Sequence, residues 1–532
     1  MNHLPDLLVT GLLHTLDPSR PRAGALLARE GKVLRLGSAA ECRREARAGA
    51  VHLEAACGVP GLADAHGHVV LHARSLEEVD CRSARDEDAC VELASVRARS
   101  RPPGTFVLGR GWDEGRWPGR ALPTAARLSR AIPDHPVLLE RIDGHAAWVN
   151  ARALEIAGVG PETPDPPGGR ILRDATGRPS GVLVDAAQDL VQARVPHPSA
   201  DELARLILAG ARDLVRLGLT QVHDAGCTSS VLRAYARLAA ADELPLRVYA
   251  MIDGGQREGP LSAELARFSE VPETGRLSVR AVKLFADGAL GSRGAALLDG
   301  YADDPGHHGL FLLAPPELRA RLARVARAGY QPAVHAIGDA ACREVLAALN
   351  ALRGEVDWKR LRPRLEHFQI VRAEDLAGLA GLGAVASMQP VHAVSDGPWV
   401  ERRLGRGTPA LAGAYAWRRA QAAGATLAFG SDFPVERPDP RLGLAAATSL
   451  RPWLGGALAE SARLSLEEAL RAFTTGPAFA SFAEARRGAL REGADADLTL
   501  FGEDLLTVPA ERLPEVPLIA TVVGGRVEHL AG

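Results

Sequence analysis

The chain has 532 residues, is 46% hydrophobic and carries a formal net charge of −2. That is ample for a large core and longer than one typical domain, and the balance of charge, with no basic or acidic block, argues against nucleic acid or an anionic membrane surface as partner. No apolar run approaches the roughly 18 residues of a membrane-spanning helix, and the opening Met1-Asn2-His3-Leu4-Pro5-Asp6 lacks the regions of a signal peptide, so a cytoplasmic protein is expected. The six cysteines (Cys42, Cys57, Cys81, Cys90, Cys227 and Cys342) contain no CxxC pair and read as buried, reduced thiols.

Residues 6–55 read as short strands with a turn, among them Leu7–Leu16 and Ala25–Leu36 around Glu30-Gly31. Gly58–Ala65 is the first of a series of apolar strands. Residues from about 75 to 198 fit no single βα unit and read as an insertion after that strand. From Ser199 onward one phrase repeats: an amphipathic helix, a glycine, a short apolar strand, then polar residues at the strand's far end. Helix Ser199–Leu217 opens with a capping box of Ser199 and Glu202 and stops at Gly218, before strand Leu219–Val222. Strands Leu246–Ile252 and Val279–Phe285 follow. Helix Pro316–Ala328 stops at Gly329, before Gln331–Val334; then come Arg364–His367, Ala384–Met388 after Gly383, and Ala425–Phe429 after Gly424. Residues 494–530 read again as strands, Ala496–Phe501 and Ile519–Glu528, the second with Gly524-Gly525 as a hairpin turn.

Strands that are apolar almost throughout, alternating with helices, imply parallel strands covered by helices. The expected fold is therefore α/β, a (β/α)8 TIM-type barrel with its site at the C-terminal ends of the strands. No GxGxxG at a strand–helix turn supports a doubly wound sheet instead. The two ends are too small for separate sheets and are expected to meet in one β-sandwich: residues 1–58 with 485–532, beside a barrel of residues 59–484 that carries the insertion at about 75–198.

Polar residues gather at the strand ends. His66 and His68 close the first strand two positions apart, on one face, as a pair of metal ligands would. His335, His367 and Asp432 close later strands; a carboxylate there needs a metal or a cation to compensate it. Lys283 lies inside Val279–Phe285, in a chain with only three lysines among 63 basic residues. It reads either as half of an ion pair or as a neutral amine that takes up CO₂ to give a carbamate able to bridge two cations, which an arginine cannot do. The set offers nitrogen and oxygen donors and no cysteine, suited to Zn²⁺, Mn²⁺ or Fe²⁺.

The order His66-x-His68, Lys283, His335, His367, Asp432 resembles the amidohydrolase superfamily. Further phrases resemble its family 3 branch, which includes N-substituted formamide deformylases: Asp143-Gly144-His145-Ala146 with Trp148-Val149-Asn150, Lys283-Leu284-Phe285-Ala286-Asp287-Gly288, His335-Ala336-Ile337-Gly338-Asp339, Glu366-His367, Gln389-Pro390-Val391-His392 and Gly430-Ser431-Asp432. The resemblance spans roughly residues 5–530. It implies that His66, His68 and Asp432 hold one metal, that His335 and His367 hold another, and that carboxylated Lys283 bridges them. One or two divalent ions are expected, Zn²⁺ before Mn²⁺ or Fe²⁺.

The expected activity is hydrolysis of a non-peptide carbon–nitrogen bond, amide or N-formyl, by metal-activated water, with Asp432 passing a proton to the leaving nitrogen. A deaminase or a lactonase would use the same site, and a barrel without catalysis is the remaining alternative. His145 and His392 are further catalytic candidates, Trp112 and Asp287 candidate substrate contacts, and His223 and Asp224 candidates for orienting the ligands. The partner is expected to be a small-molecule substrate, and a homodimer is compatible with such a barrel.

Overall fold

The computed structural model describes residues 4–142, 144–255, 271, 273–449 and 463–532. Asp143, in one of the phrases quoted above, lies outside them. The chain divides into two compact units, Met1–Val70 with Leu203–Gly532, and Leu71–Glu202.

The first unit holds eight parallel strands in sequential order: β1 (Leu62–Gly67), β2 (Leu219–Cys227), β3 (Arg247–Asp253), β4 (Leu277–Phe285), β5 (Gln331–Ala336), β6 (Arg364–His367), β7 (Val385–Met388) and β8 (Thr426–Phe429). A parallel bridge from Gly67 to Phe433 brings the last strand back to the first. The seam is tight: a Cβ on Gly430 would lie 2.5 Å from the Asp64 carboxylate and from the His66 amide nitrogen, so only glycine fits there. Each strand sorts its residues by parity. Val282 and Leu284 of β4 join the large core under the helices, whereas Ala281 and Ala333 face inward with Ala225, Tyr249 and Met251. Helix α1 (Ala200–Arg216) shows why the helices lie where they do. Its buried residues Leu203, Ile207, Gly210 and Leu214 recur every three or four positions, one stripe that packs against the barrel. Each such leucine or isoleucine contributes about 1.5–3 kcal/mol by leaving water.

One expected strand divides differently. The apolar run Gly58–Ala65 is not a single barrel strand: Val51–Pro60 belongs to a second sheet, and β1 begins at Leu62. Both segments are apolar, so hydrophobicity alone does not reveal the change of sheet at Pro60-Gly61. That second sheet has seven strands and joins both ends of the chain: Leu7–His14, Arg22–Arg29, Lys32–Gly37 and Val51–Pro60 pair with Leu498–Phe501, Leu518–Val523 and Arg526–Leu530. Its core mixes Val9, Leu26 and Val33 with Leu498, Leu500 and Val522. The turns are at Glu30-Gly31 and Gly524-Gly525, all four residues with positive φ, as two-residue hairpins of this twist require.

The unit Leu71–Glu202 is built on its own six-stranded mixed sheet, running from Val79–Asp80 at one edge to Gly169–Arg173 at the other. All six cysteines are buried and free of disulfides. Among the described residues no helix is long and apolar enough to cross a membrane.

Candidate metal centre

Parity along the strands assembles the site. Lys283 and His335 stand two residues beyond inward-facing Ala281 and Ala333, on the same face. The register sets Phe285 beside His335 and Ala336 beside His367, so consecutive strands deliver consecutive imidazoles to one rim. The rings of His335 and His367 have centroids 4.4 Å apart, and those of His66 and His367 4.8 Å. Lys283 Nζ lies 3.3 Å from His66 Nε2.

The donor atoms converge. Asp432 Oδ1 is 3.2 Å from His68 Nε2 and 3.7 Å from His66 Nε2. Two ligands each about 2.1 Å from a tetrahedral zinc stand about 3.4 Å apart, so this triad fits a divalent ion. The far nitrogens are already engaged. His66 Nδ1 meets the Glu366 carboxylate, His68 Nδ1 the Ala225 carbonyl at 2.8 Å, and His367 Nδ1 the Gln389 side-chain oxygen at 3.0 Å. In each ring Nδ1 donates, which leaves Nε2 as the acceptor a metal needs. His335 is turned the other way: its Nε2 faces the Gly288 carbonyl at 3.4 Å and Asp287 Oδ1 at 3.6 Å, so Nδ1 is its candidate ligating nitrogen. The His68 side chain is one quarter exposed while His66 is buried, so the cluster opens to water on one side.

Electrostatics agree with the geometry. Burial, reinforced by the Lys283 charge, lowers His66 to about 4 and His335 to about 3, and burial with the neighbouring imidazoles lowers His367 well below its ordinary value. All three are neutral, the form that binds metal. Burial lowers Lys283 to about 8, making its neutral amine accessible near physiological pH. Burial would raise Asp432, but hydrogen bonds with His392 and His68 outweigh it and keep the carboxylate ionised. His392 is pulled down by burial and pushed up by Asp432 and Glu436, ending at about 10. Its Nε2 lies 3.4 Å from Asp432 Oδ2 and its Nδ1 3.5 Å from Glu436 Oε1. His392, expected as a catalytic group, thus sits against the second oxygen of the carboxylate whose first oxygen faces the triad.

Two of the candidate ligands hold strained backbone. His367 (φ 68°) and Asp432 (φ 61°) are left-handed, as is Phe368 (φ 44°). Such residues cost about 1–3 kcal/mol each and persist only where surrounding contacts impose them. At Asp432 the constraint is visible: its N–H donates to the His66 carbonyl at 2.7 Å, and the His68 N–H donates to the Phe433 carbonyl at 2.9 Å.

Other expected site residues lie elsewhere or do other work. Trp112, expected as a substrate contact, is a core residue. It is fully buried in the unit Leu71–Glu202, with rings of Trp117 and Trp148 around it and its indole N–H donating to the Leu139 carbonyl at 2.8 Å. Asp287, also expected as a substrate contact, braces the backbone. It is 0% exposed, and its carboxylate accepts backbone N–H groups from Ala296, Ile337 and Gly338 at 2.8–3.0 Å, fixing the loops after β4 and β5. His145 is exposed in the unit Leu71–Glu202 and bonds Asp185 at 2.8 Å. Asp224 accepts from Tyr235 Oη at 2.6 Å and from the Val69 N–H at 3.1 Å, a brace for the end of β2. His223 reaches the ligands indirectly, through Arg364 at 2.8 Å.

Three residues not singled out in the sequence complete the site. Glu366 holds His66, Gln389 holds His367, and Asp64 accepts from the His66 N–H at 3.0 Å and from Ser431 Oγ at 2.7 Å, tying β1 to the Asp432 turn. The signal for Glu366 was present in Arg364-Leu365-Glu366: two opposite charges at period two on an otherwise buried strand must face the same interior.

The sequence profile described as the amidohydrolase family matches residues 53–529. A Bacillus subtilis protein named as an amidohydrolase, YtcJ, is 33% identical over 98% of both chains. N-substituted formamide deformylase of Arthrobacter pascens is 28% identical over 99% of both. A solved structure of an uncharacterized metal-dependent hydrolase from Pyrococcus horikoshii superposes with a TM-score of 0.79 at 25% identity, covering 95% of this chain and 99% of that one. The chain belongs to the amidohydrolase family. It is a metal-dependent hydrolase, with His and Asp groups at the barrel mouth that suit a divalent metal.

Proposed function

We propose that the protein hydrolyses a non-peptide carbon–nitrogen bond of the amide or N-formyl type. The observation that carries this reading is Asp432, whose Oδ1 faces His66 and His68 while Oδ2 faces His392. One oxygen can serve a metal and the other a proton transfer, which a C–N bond requires because its amine leaves only once protonated. A divalent ion held here, Zn²⁺ in the first instance, would acidify a bound water and polarise a carbonyl oxygen. Asp432 accepts the proton of the attacking water and returns it to the leaving nitrogen. His392, kept cationic by Asp432 and Glu436, to which its two nitrogens turn, would stabilise through its charge the oxyanion that forms on the former carbonyl. His335, His367 and Lys283 are proposed to complete a binuclear centre. There the neutral Lys283 amine adds to CO₂, forming an N–C bond and releasing one proton, and the resulting carbamate supplies two oxygens where the amine supplies none.

The relative named for N-substituted formamides supports amides as the class, and the carboxylate–imidazole pair supports acid–base chemistry at nitrogen. The test is turnover of a panel of N-formyl amines, cyclic amides, aminopurines and lactones by metal-loaded protein. Amine release from the N-formyl or amide members is expected. Turnover confined to aminopurines or to lactones would replace this reading with a deaminase or a lactonase.

A further inference from the structure

We infer that the buried Arg364–Glu366 pair is a positioning device for the metal ligand His66, retained inside the barrel although it does not stabilise the fold. The inference rests on the metal-site reading above. Both side chains are 0% exposed. Barrel interiors of this kind are ordinarily filled by branched apolar residues. Here Arg364 stands in register beside the small Ala333, and an ion pair enters the interior. Pairs so deep gain little over apolar residues of similar volume, because both charges lose their water. Stability therefore does not explain their presence.

Position does. Glu366 Oε2 takes the Nδ1–H of His66, while Oε1 accepts from Arg364 Nε at 2.6 Å. Arg364 is itself pinned from three other strands. It donates to the Ala65 carbonyl at 2.7 Å, to Ser387 Oγ at 3.1 Å and to His223 Nδ1 at 2.8 Å. Arginine can only donate, so His223 Nδ1 accepts. The carboxylate is thus fixed by β1, β2 and β7 before it touches His66. The contrast with the other ligands is informative. His68 leans on a backbone carbonyl, His367 on a neutral amide, and His335 on the Gly288 carbonyl with Asp287 Oδ1 3.6 Å away, whereas the carboxylate hydrogen-bonded to His66 has a dedicated counter-ion. A carboxylate at Nδ1 fixes ring and tautomer and makes Nε2 more basic, and loss of such a partner typically costs about 10- to 100-fold in metal affinity.

The experiment uses the full chain and zinc alone as probe. Zinc dissociation constants are measured by chelator competition, and thermal midpoints of the metal-free chains are measured alongside. The set is wild type, Glu366→Gln, Arg364→Met/Glu366→Gln and, as control, His68→Ala. The double variant is expected to melt at or above wild type when metal-free, yet to bind zinc about 10- to 100-fold more weakly. Should the double variant not fold, the pair is structural and the inference is wrong. Wild-type affinity in folded Glu366→Gln or in the double variant, within about twofold, would overturn it as well. If His68→Ala binds zinc as tightly as wild type, it is the metal-site reading that fails, a result distinct from either.

Discussion

The barrel carries buried charge at both ends, and the two ends use it differently. At the foot, Arg247 at the start of β3 grips Asp497 through two hydrogen bonds of 2.7 and 2.8 Å, and Asp497 also takes the Gly524 N–H at 2.7 Å. Beside it, Asp495 is held by Arg487 at 2.9 Å and by Lys32. Each acid there faces a base, and the set ties the seven-stranded sheet to the barrel. At the mouth, Asp432 and four imidazoles converge on common space, with Lys283 driven down toward neutrality and two of these residues on left-handed backbone. Matched pairs fasten two layers together. Convergent like donors on strained backbone cannot be explained as fastening, and mark the place where an ion and a substrate belong.

The sharpest way to break this contrast is to remove one charge from each end. Asp432→Asn keeps the size and one oxygen but cannot carry the proton. It should lower kcat/KM by about 10²- to 10⁴-fold on whatever amide the wild type turns over, with the thermal midpoint little changed. Near-normal turnover in that variant would remove Asp432 from the proton path. Next in size is metal content. Wild type purified without chelator should hold about two divalent ions per chain by plasma mass spectrometry, and Lys283→Ala clearly fewer. Equal content in both would leave Lys283 without a bridging role. Because free amine is needed for the carbamate, metal loading of stripped protein in bicarbonate should quicken as pH rises through about 8, the value to which burial lowers Lys283. At the foot the signs reverse. Asp497→Ala should cost up to about 3–5 kcal/mol of stability, by leaving buried Arg247 with only Asp495, 3.6 Å away, as counter-ion, and yet spare zinc affinity and turnover of the folded fraction.

The mouth was more legible in the sequence than the foot, and physics explains why. His66, His68, His335, His367 and Asp432 each end an apolar run, and in a parallel barrel every such run ends on one rim, so local pattern sufficed to bring them together. Lys283 stood out because the chain otherwise uses arginine. Where a residue's role depends on a partner far along the chain, the partner was not legible, even where burial of the residue was, as at Glu366. Asp497 finds Arg247 across 250 positions, and Glu366 finds His66 across 300. The surroundings of Trp112 and Asp287 were hidden for the same reason. An aromatic and a carboxylate near site phrases look available until burial and backbone donors account for them. The break at Pro60-Gly61 was hidden because both sheets ask for the same apolar residues.

The smallest effect separates the two ends by the sign of a pH slope. Burial would raise Asp497, but Arg247 outweighs it and its folded-state pKa lies below the ordinary value; Asp495 is lowered too. A depressed carboxylate contributes stability above its unfolded pKa, about 3.9, and loses it as pH falls through the folded one. Metal-free wild type should therefore lose stability in acid more steeply than Asp497→Asn, which starts lower at neutral pH. Asp64 at the mouth behaves oppositely. Burial raises it to about 7 despite its hydrogen bonds to Ser431 and His66, so the folded chain binds the extra proton and its contribution falls as pH rises from about 4 through 7. Asp64→Asn should flatten that decline. Urea unfolding of the metal-free variants between pH 3 and 8 reads both slopes, and slopes of the same sign would mean that the two clusters do not differ in the way their geometry implies.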